Sequence, residues 1–441
     1  MRRTAVLIGA PAHDLTGVGN DVDAMAELLA GRGFATVRCE GSEATRAGIL
    51  DAYGRLIRDA RPDDAVVVYY SGHGGLATPP PQLRTPGRAA PPRLQFIVPV
   101  DHPGPAATDF RGITAPELSV LLLRLTNTTR NVTVIIDACH AAHVFRDDGL
   151  RVKALRQPAY LDVAEHLSRL RRQGLDTAAL HALGNQDAVR VVACGREQSA
   201  YEYTNDAGRP AGLFTEALTL TLAETGDRPV SWADLLPRVR ERVRAVVPFQ
   251  RPEAEGPALR PPFQLDPVRP GLGLEAGPDR AALGAAVTIG WGRVVGGRAH
   301  PLPAQDALVH AGEDVYVRVR NDGRATVHVS LLAFDPLARG SVVTSLDPSG
   351  VPVRPGEEHV IGRDELHGRL DGIPLRWPAG AGDAPRPAAF VVLVSSAPEA
   401  PAEVFRDLSM HGDDGLRRDA HRIRFRLDPG PRSPANSTSE Q

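Results

Sequence analysis

The stretch Ala65-Val-Val-Val-Tyr-Tyr-Ser-Gly-His-Gly-Gly75 decides the fold. Its first six residues are apolar, β-branched or aromatic, without the polar alternation of a strand that has one wet face. The run therefore reads as a strand covered on both sides. It stops in glycines placed around a single histidine. A second run of this kind, Val132-Thr-Val-Ile-Ile136, also ends in residues that carry chemistry, Asp137-Ala-Cys-His140.

Outward from these two segments the chain alternates. Thr4 to Gly9, Phe34 to Cys39, Leu94 to Val98 and Arg190 to Cys194 are strand-like. Asp21 to Leu29, Ala44 to Ala60, Glu117 to Leu125 and Leu213 to Ala223 carry helical spacing. Such alternation predicts βαβ units and an α/β fold, a mostly parallel sheet flanked by helices. Ala77 to Pro92 reads as a surface loop. Phe145 to Gln186 is far longer than an ordinary connection and holds a helical patch at Val163 to Leu170.

Beyond Pro248 the grammar changes. Val315, Val317 and Val319 face one way, and Tyr316, Arg318 and Arg320 the other. Asn321-Asp-Gly-Arg324 predicts a turn, with Val327 to Phe334 returning as its partner strand. Ala388 to Val394 and Arg422 to Leu427 are further strands. The expected organisation is an α/β domain over 1–265, a Gly/Pro-rich linker over 266–280, an antiparallel β-sandwich-like accessory domain over 281–428, and a disordered tail over 429–441.

The 441 residues are 42% hydrophobic and 24% charged, with a formal net charge of −2. This describes a soluble globular protein and argues against a basic nucleic-acid binder. No apolar run approaches the ~20 residues that span a bilayer, and the N-terminal one is too short for a signal-peptide core. Cytoplasmic placement is the expectation, with no membrane and no nucleic-acid partner. Cys39, Cys139 and Cys194 form no CxxC pair, so a structural zinc or redox dithiol has no support, and free thiols in a reducing compartment are expected. Of 51 basic residues one is a lysine, Lys153. That bias matches a GC-rich coding sequence and carries no functional weight by itself.

In a parallel α/β sheet, ligands bind at the carboxyl ends of strands. His73 and Cys139 each stand at such an end. A thiol is only a few per cent ionised at neutral pH, and an imidazole beside it activates it and later protonates a leaving amine. The amides of Gly74 and Cys139 are candidate oxyanion donors. The same residues also read blandly, Cys139 as a small core hydrophobe and His73 as a loop residue. His140 and His143 are rival bases; His140 diverges from Cys139 as its chain neighbour, and His143 lies one helical turn on.

Tyr69-Tyr-Ser-Gly-His-Gly74 and Asp137-Ala-Cys-His140 resemble the two catalytic motifs of the caspase-like cysteine peptidases, in their metacaspase or bacterial orthocaspase form. The resemblance extends through Gly19-Asn-Asp-Val-Asp-Ala-Met25, Ala193-Cys-Gly-Arg-Glu-Gln-Ser-Ala-Tyr-Glu202 and Gly212-Leu-Phe-Thr-Glu-Ala-Leu218, over about residues 3–265. It implies a caspase-like fold and a cysteine endopeptidase with Cys139 as nucleophile and His73 as base. It further implies that Asp21 and Asp137 line the primary specificity pocket, bordered by Glu202 and Ser199. Paired carboxylates favour a guanidinium or ammonium, so cleavage after Arg or Lys is expected. Read without the family, Asp21 is a first-turn helix acid and Asp137 a polar strand end.

Two departures stand out. Ala141 and Ala142 follow Cys-His where relatives commonly have Ser-Gly. The calcium-site acidic cluster of some relatives has no counterpart beyond Asp147-Asp148, so calcium independence and no cofactor are expected. The basic connection carrying Arg146, Arg151, Lys153, Arg156, Arg169, Arg171 and Arg172, read as an exposed linker, suits self-processing by an Arg-specific enzyme, and reads equally as a solvated basic helix face. The rival classes are a catalytically silent scaffold binding a protein partner through its β domain, and a cysteine hydrolase of another clan.

Overall fold

The structure is a computed structural model. It describes residues 1–12, 14–78, 93–103, 110–140, 149–195, 198–226, 228, 230–265, 280–281, 287–337, 339–401 and 418–430. It divides into two compact units, one of residues 1–180 with 184–268 and one of 181–183 with 269–441. The expected linker, apart from residue 280, most of the expected tail, His143, Arg146 and Asp147-Asp148 lie outside the described residues.

The first unit begins with β1 (Arg3–Ala10), α1 (Val18–Gly31), β2 (Ala35–Glu40), α2 (Arg46–Asp59) and β3 (Ala65–Gly72). Next come β4 (Gly74–Thr78), β5 (Leu94–Ile97), β6 (Ile113–Thr114), α3 (Ala115–Thr126) and β7 (Asn131–Asp137). β8 (Leu150–Val152), β9 (Ala159–Tyr160), α4 (Val163–Arg172), β10 (Ala188–Val192), β11 (Tyr201–Thr204) and β12 (Pro210–Gly212) come after them. α5 (Leu213–Thr225), α6 (Trp232–Val246) and β13 (Glu253–Glu255) close the unit.

The main sheet has the order β13-β10-β7-β3-β1-β2, parallel except for β13. β3 and β7 are direct neighbours, with Ser71 opposite Asp137. Both strands are buried along their whole length, as continuous apolar runs require. Val67, Tyr69 and Ile135 join the core under α1, α5 and α6, while Val66, Val68, Tyr70, Val134 and Ile136 join the core under α2 and α3. The period of two places Ser71 and Asp137, continuing the first set, on the α1/α5 face.

β5 departs from the sequence expectation. It belongs to a separate sheet, β6-β5-β4-β9, antiparallel to β4. A short apolar run does not say which sheet it joins, and here the chain leaves β3 at Gly72, turns at His73 and enters that second sheet at once.

The second unit contains β14 (Arg280–Ala281), β15 (Val287–Val295), β16 (Arg298–Pro301), β17 (Gln305–His310), β18 (Asp314–Asn321), β19 (Val327–Phe334), β20 (Gly340–Val342) and β21 (Val351–Val353). β22 (Glu358–Ile361), β23 (Ile373–Pro374), β24 (Arg386–Ser395) and β25 (Arg418–Asp428) complete it. Two sheets enclose an apolar core that includes Trp291, Val317, Val329, Phe390 and Phe425. The pairings are antiparallel except for β17 beside β25, which is parallel.

The expected β18–β19 hairpin does not form. β18 pairs with β15, β22 and β23, whereas β19 pairs with β20, β21 and β24 in the opposite sheet. Alternation fixes which side chains face the core, and a turn that arches between sheets preserves it as well as a hairpin does.

Candidate active site

His73 and Cys139 stand just beyond the ends of the adjacent strands β3 and β7, and both are buried, Cys139 fully. A Cβ on Gly74 would collide with the Cys139 carbonyl, so glycine is what allows the two strand ends to approach this closely. His73 Nε2 lies 3.3 Å from Asp14 Oδ1 in the loop between β1 and α1. The Cys139 thiol points at the Ala200 carbonyl, 3.6 Å away.

The neighbouring groups narrow the choice of base and nucleophile. Burial pushes the His140 imidazole down to about 4, which keeps it neutral, and its Nδ1 lies against Gly74. The Cys194 thiol is driven well above its ordinary range, chiefly by its hydrogen bond with Cys139 and then by burial. All three cysteines are free and buried.

An acidic pocket lies on the α1/α5 face beside these strand ends. Asp21, from the first turn of α1, and Asp137 are 1% and 0% exposed. Asp21 is thus no solvated helix-capping acid. Its Oδ1 accepts from the Gly212 amide at 2.7 Å, and its Oδ2 accepts from Ser71 Oγ at 2.7 Å. Asp137 Oδ2 accepts from Thr215 Oγ1 at 2.6 Å, and that hydroxyl is 2.7 Å from the Tyr69 phenol. A Cβ on Gly212 would strike the Asp137 carboxylate and stand 2.7 Å from Asp21 Oδ2. Only glycine leaves the pocket open there.

The pocket is filled by the chain's one lysine. Lys153 Nζ is 3.0 Å from both Asp21 Oδ2 and Asp137 Oδ2 and donates to Ser71 Oγ at 2.9 Å. Burial alone would lower the ammonium's pKa, but Asp137 and Asp21 outweigh it and hold the charge above its ordinary range. Burial in turn raises the Asp21 carboxyl, opposed by Lys153 and reinforced by Asp137.

The backbone of the same segment lies against the ends of β3 and β7. The Lys153 carbonyl accepts from the Gly74 amide at 2.9 Å and the Cys139 amide at 3.1 Å, the two donors expected to form the oxyanion hole. Upstream, β8 pairs with β11, with Val152 opposite Tyr201 and Arg151 opposite Glu202, and the Lys153 amide donates to the Ala200 carbonyl at 2.9 Å. Downstream, the Leu155 amide donates to the Gly74 carbonyl at 2.8 Å. Residues 150–155 therefore lie extended across the site, with one side chain in the acidic pocket and its carbonyl on both amides.

The structure thus brings together every expected site residue: His73, Gly74, Cys139, Asp21 and Asp137. Ser199 is buried nearby, and Glu202 grips the loop before α1, accepting from the amides of Thr16 at 3.0 Å and Gly17 at 2.7 Å. Sequence reasoning missed the pocket roles of Ser71, Gly212, Thr215 and Lys153. Among the described residues no group of three His, Cys, Asp or Glu side chains could hold a metal ion.

Cys139 and His73 at adjacent strand ends of an α/β sheet, with the Gly74 and Cys139 amides and a buried acidic pocket beside them, are the parts that nucleophilic cysteine chemistry requires. The comparisons with known proteins give the family. Residues 2–264 match the model of the caspase domain, Peptidase_C14, and the chain belongs to that family. Curated relatives include Metacaspase-1 of Candida albicans, 37% identical over 87 residues, which covers 17% of this chain and 19% of the relative. Metacaspase-1B of Aspergillus fumigatus is 29% identical over 212 residues, 42% of this chain and 48% of its own. That of Aspergillus clavatus is 27% identical over 233 residues, 47% and 53% respectively. The matches span about half the length of these relatives or less. A solved protein of Geobacter sulfurreducens superposes with a TM-score of 0.45 at 21% identity, covering 60% of this chain and 99% of its own.

Proposed function

We propose that this protein is a cytoplasmic, metal-independent cysteine endopeptidase that cuts after lysine or arginine, and that its own Lys153–Ala154 bond is its first substrate. The carrying observation is the double seating of Lys153, with its ammonium on Asp21 and Asp137 and its carbonyl on the amides of Gly74 and Cys139. Arginine suits the same pocket. Asp137 Oδ1 is buried without a hydrogen-bond partner in this arrangement, and a guanidinium brings the extra donors to meet it.

In this reading Cys139 Sγ attacks the carbonyl carbon while His73 takes the thiol proton. The oxyanion forms on the two amides. As the C–N bond breaks, His73 returns the proton to the departing amine, leaving a thioester that water hydrolyses. An aspartate in the pocket would face two carboxylates and be rejected.

Two measurements test this. On incubation, the wild-type chain is expected to convert by intact mass into fragments 1–153 and 154–441, while Cys139→Ala and Lys153→Gln stay whole. Fluorogenic peptides ending in Arg or Lys are expected to be turned over and one ending in Asp is not. Turnover of the Asp peptide alone overturns the pocket, and activity surviving in Cys139→Ala overturns the mechanism.

A further inference from the structure

The loop between β1 and α1 touches two parts of the machinery at once. On one side Asp14 Oδ1 stands 3.3 Å from Nε2 of the buried His73. On the other side the loop meets Arg151, two residues upstream of Lys153 in the segment lying against the ends of β3 and β7. Arg151 Nη1 donates to Thr16 Oγ1 at 2.6 Å and to the Asp14 carbonyl at 3.2 Å, and lies 3.3 Å from Glu202 Oε1.

The loop is held in place from behind. The buried Glu202 carboxylate takes the Thr16 and Gly17 amides, and a Cβ on Gly17 would stand 2.8 Å from the Ala211 amide. The tip is less constrained: Asp14 is 56% exposed in its side chain, and Arg151 is 48% exposed. Because β8 pairs residue for residue with β11, any extended peptide bound in this manner sets the corresponding side chain opposite Glu202.

We propose that the 14–17 loop reads a basic residue two positions upstream of the cleaved one, and that this contact sets Asp14 against His73. The inference rests on the reading of residues 150–155 as lying where a substrate lies. Asp14 is a positioning residue in this scheme. Its carboxylate fixes the imidazole's orientation, and the substrate's own guanidinium, by tying down the Asp14 carbonyl and Thr16 hydroxyl, steadies the loop that carries it. A site that only bound the arginine would change KM; one that also orders the base changes kcat.

The test uses the full-length enzyme and two peptides, acetyl-Leu-Arg-Val-Lys and acetyl-Leu-Gln-Val-Lys, each with a fluorogenic amide after the lysine. For the wild type, the arginine peptide is expected to exceed the glutamine one about three- to fivefold in kcat/KM, the size of a half-exposed charge contact, with part of the gain in kcat. In Asp14→Asn the kcat ratio of the two peptides is expected to fall to one while the KM ratio persists. Asp14→Glu, which keeps the carboxylate, is expected to restore part of the kcat ratio.

Equal kinetics of the two peptides in the wild type overturn the proposal while leaving cleavage after lysine intact, and that arm needs no variant. An unchanged kcat ratio in Asp14→Asn overturns the positioning role. Turnover of neither peptide overturns the underlying reading as well.

Discussion

Among the described residues of the α/β unit, two buried ion clusters are wired in opposite senses. At the ends of β3 and β7 two carboxylates, Asp21 and Asp137, share one ammonium. Between α2, α3 and α4 a single carboxylate, Glu117, meets the Arg46 guanidinium and the His166 imidazole, and also accepts from the Thr114 amide and hydroxyl. The first cluster is short of positive charge, and its cation arrives on a segment lying against those strand ends. The second is satisfied by helices that pack together anyway. A buried charge that is matched from within its own scaffold is architecture, while under the proposed function a buried pair of acids matched from a connecting segment serves as a receptor for a cation.

Breaking each cluster should therefore cost different things. The largest effect is expected from Asp137→Asn, which removes one of the two charges facing the substrate. Its kcat/KM on lysine and arginine peptides should fall about a hundredfold, roughly 3 kcal/mol of transition-state binding, in steady-state assays. An equal loss in Glu117→Gln would erase the distinction between the clusters.

Glu117→Gln is expected instead to lower the stability of the α/β unit by about 3 kcal/mol near neutral pH, with the preference among peptides unchanged. The sign comes from the environment. Burial would raise the Glu117 carboxyl, but His166 and Arg46 overcome it and hold it at about 2 against an ordinary 4.5. That contribution is present above pH 4.5 and fades as pH falls toward 2. Denaturant titrations should show that acid-side loss in the wild type and its absence in the variant.

The smallest effect is expected from Thr215→Val, which takes one hydroxyl from Asp137 Oδ2 without altering charge. A loss of about fivefold in kcat/KM on lysine peptides, near 1 kcal/mol, would sharpen the comparison by showing that the pocket's neutral donors matter less than its charges.

Much of this site was legible in the sequence because the deciding residues sit at the ends of two unusually apolar strands. Val66 to Tyr70 and Val132 to Ile136 have one reading, and each runs directly into concentrated chemistry, Ser-Gly-His-Gly after the first and Asp-Ala-Cys-His after the second. Asp21 was reached through the family resemblance, since its position in the first turn of α1 has an ordinary explanation of its own.

Lys153 was visible as the solitary lysine and as one of the basic residues of a connection suited to self-processing, but nothing local in Arg151-Val-Lys-Ala-Leu155 announces that its side chain enters the acidic pocket. Ser71, Gly212 and Thr215 come from three distant parts of the chain, and only the tertiary fold converges them. The same limit hid the sheet to which β5 belongs and the arch that separates β18 from β19. Pairing is a long-range property, and period-two alternation is blind to it.

The solitude of Lys153 has a practical corollary. Apart from the amino terminus, the protein owns one primary amine, and in this arrangement solvent cannot touch it. An amine-reactive dye applied to the native protein would then act as a gauge of pocket vacancy, since side-chain labelling proceeds only as fast as that segment lifts away.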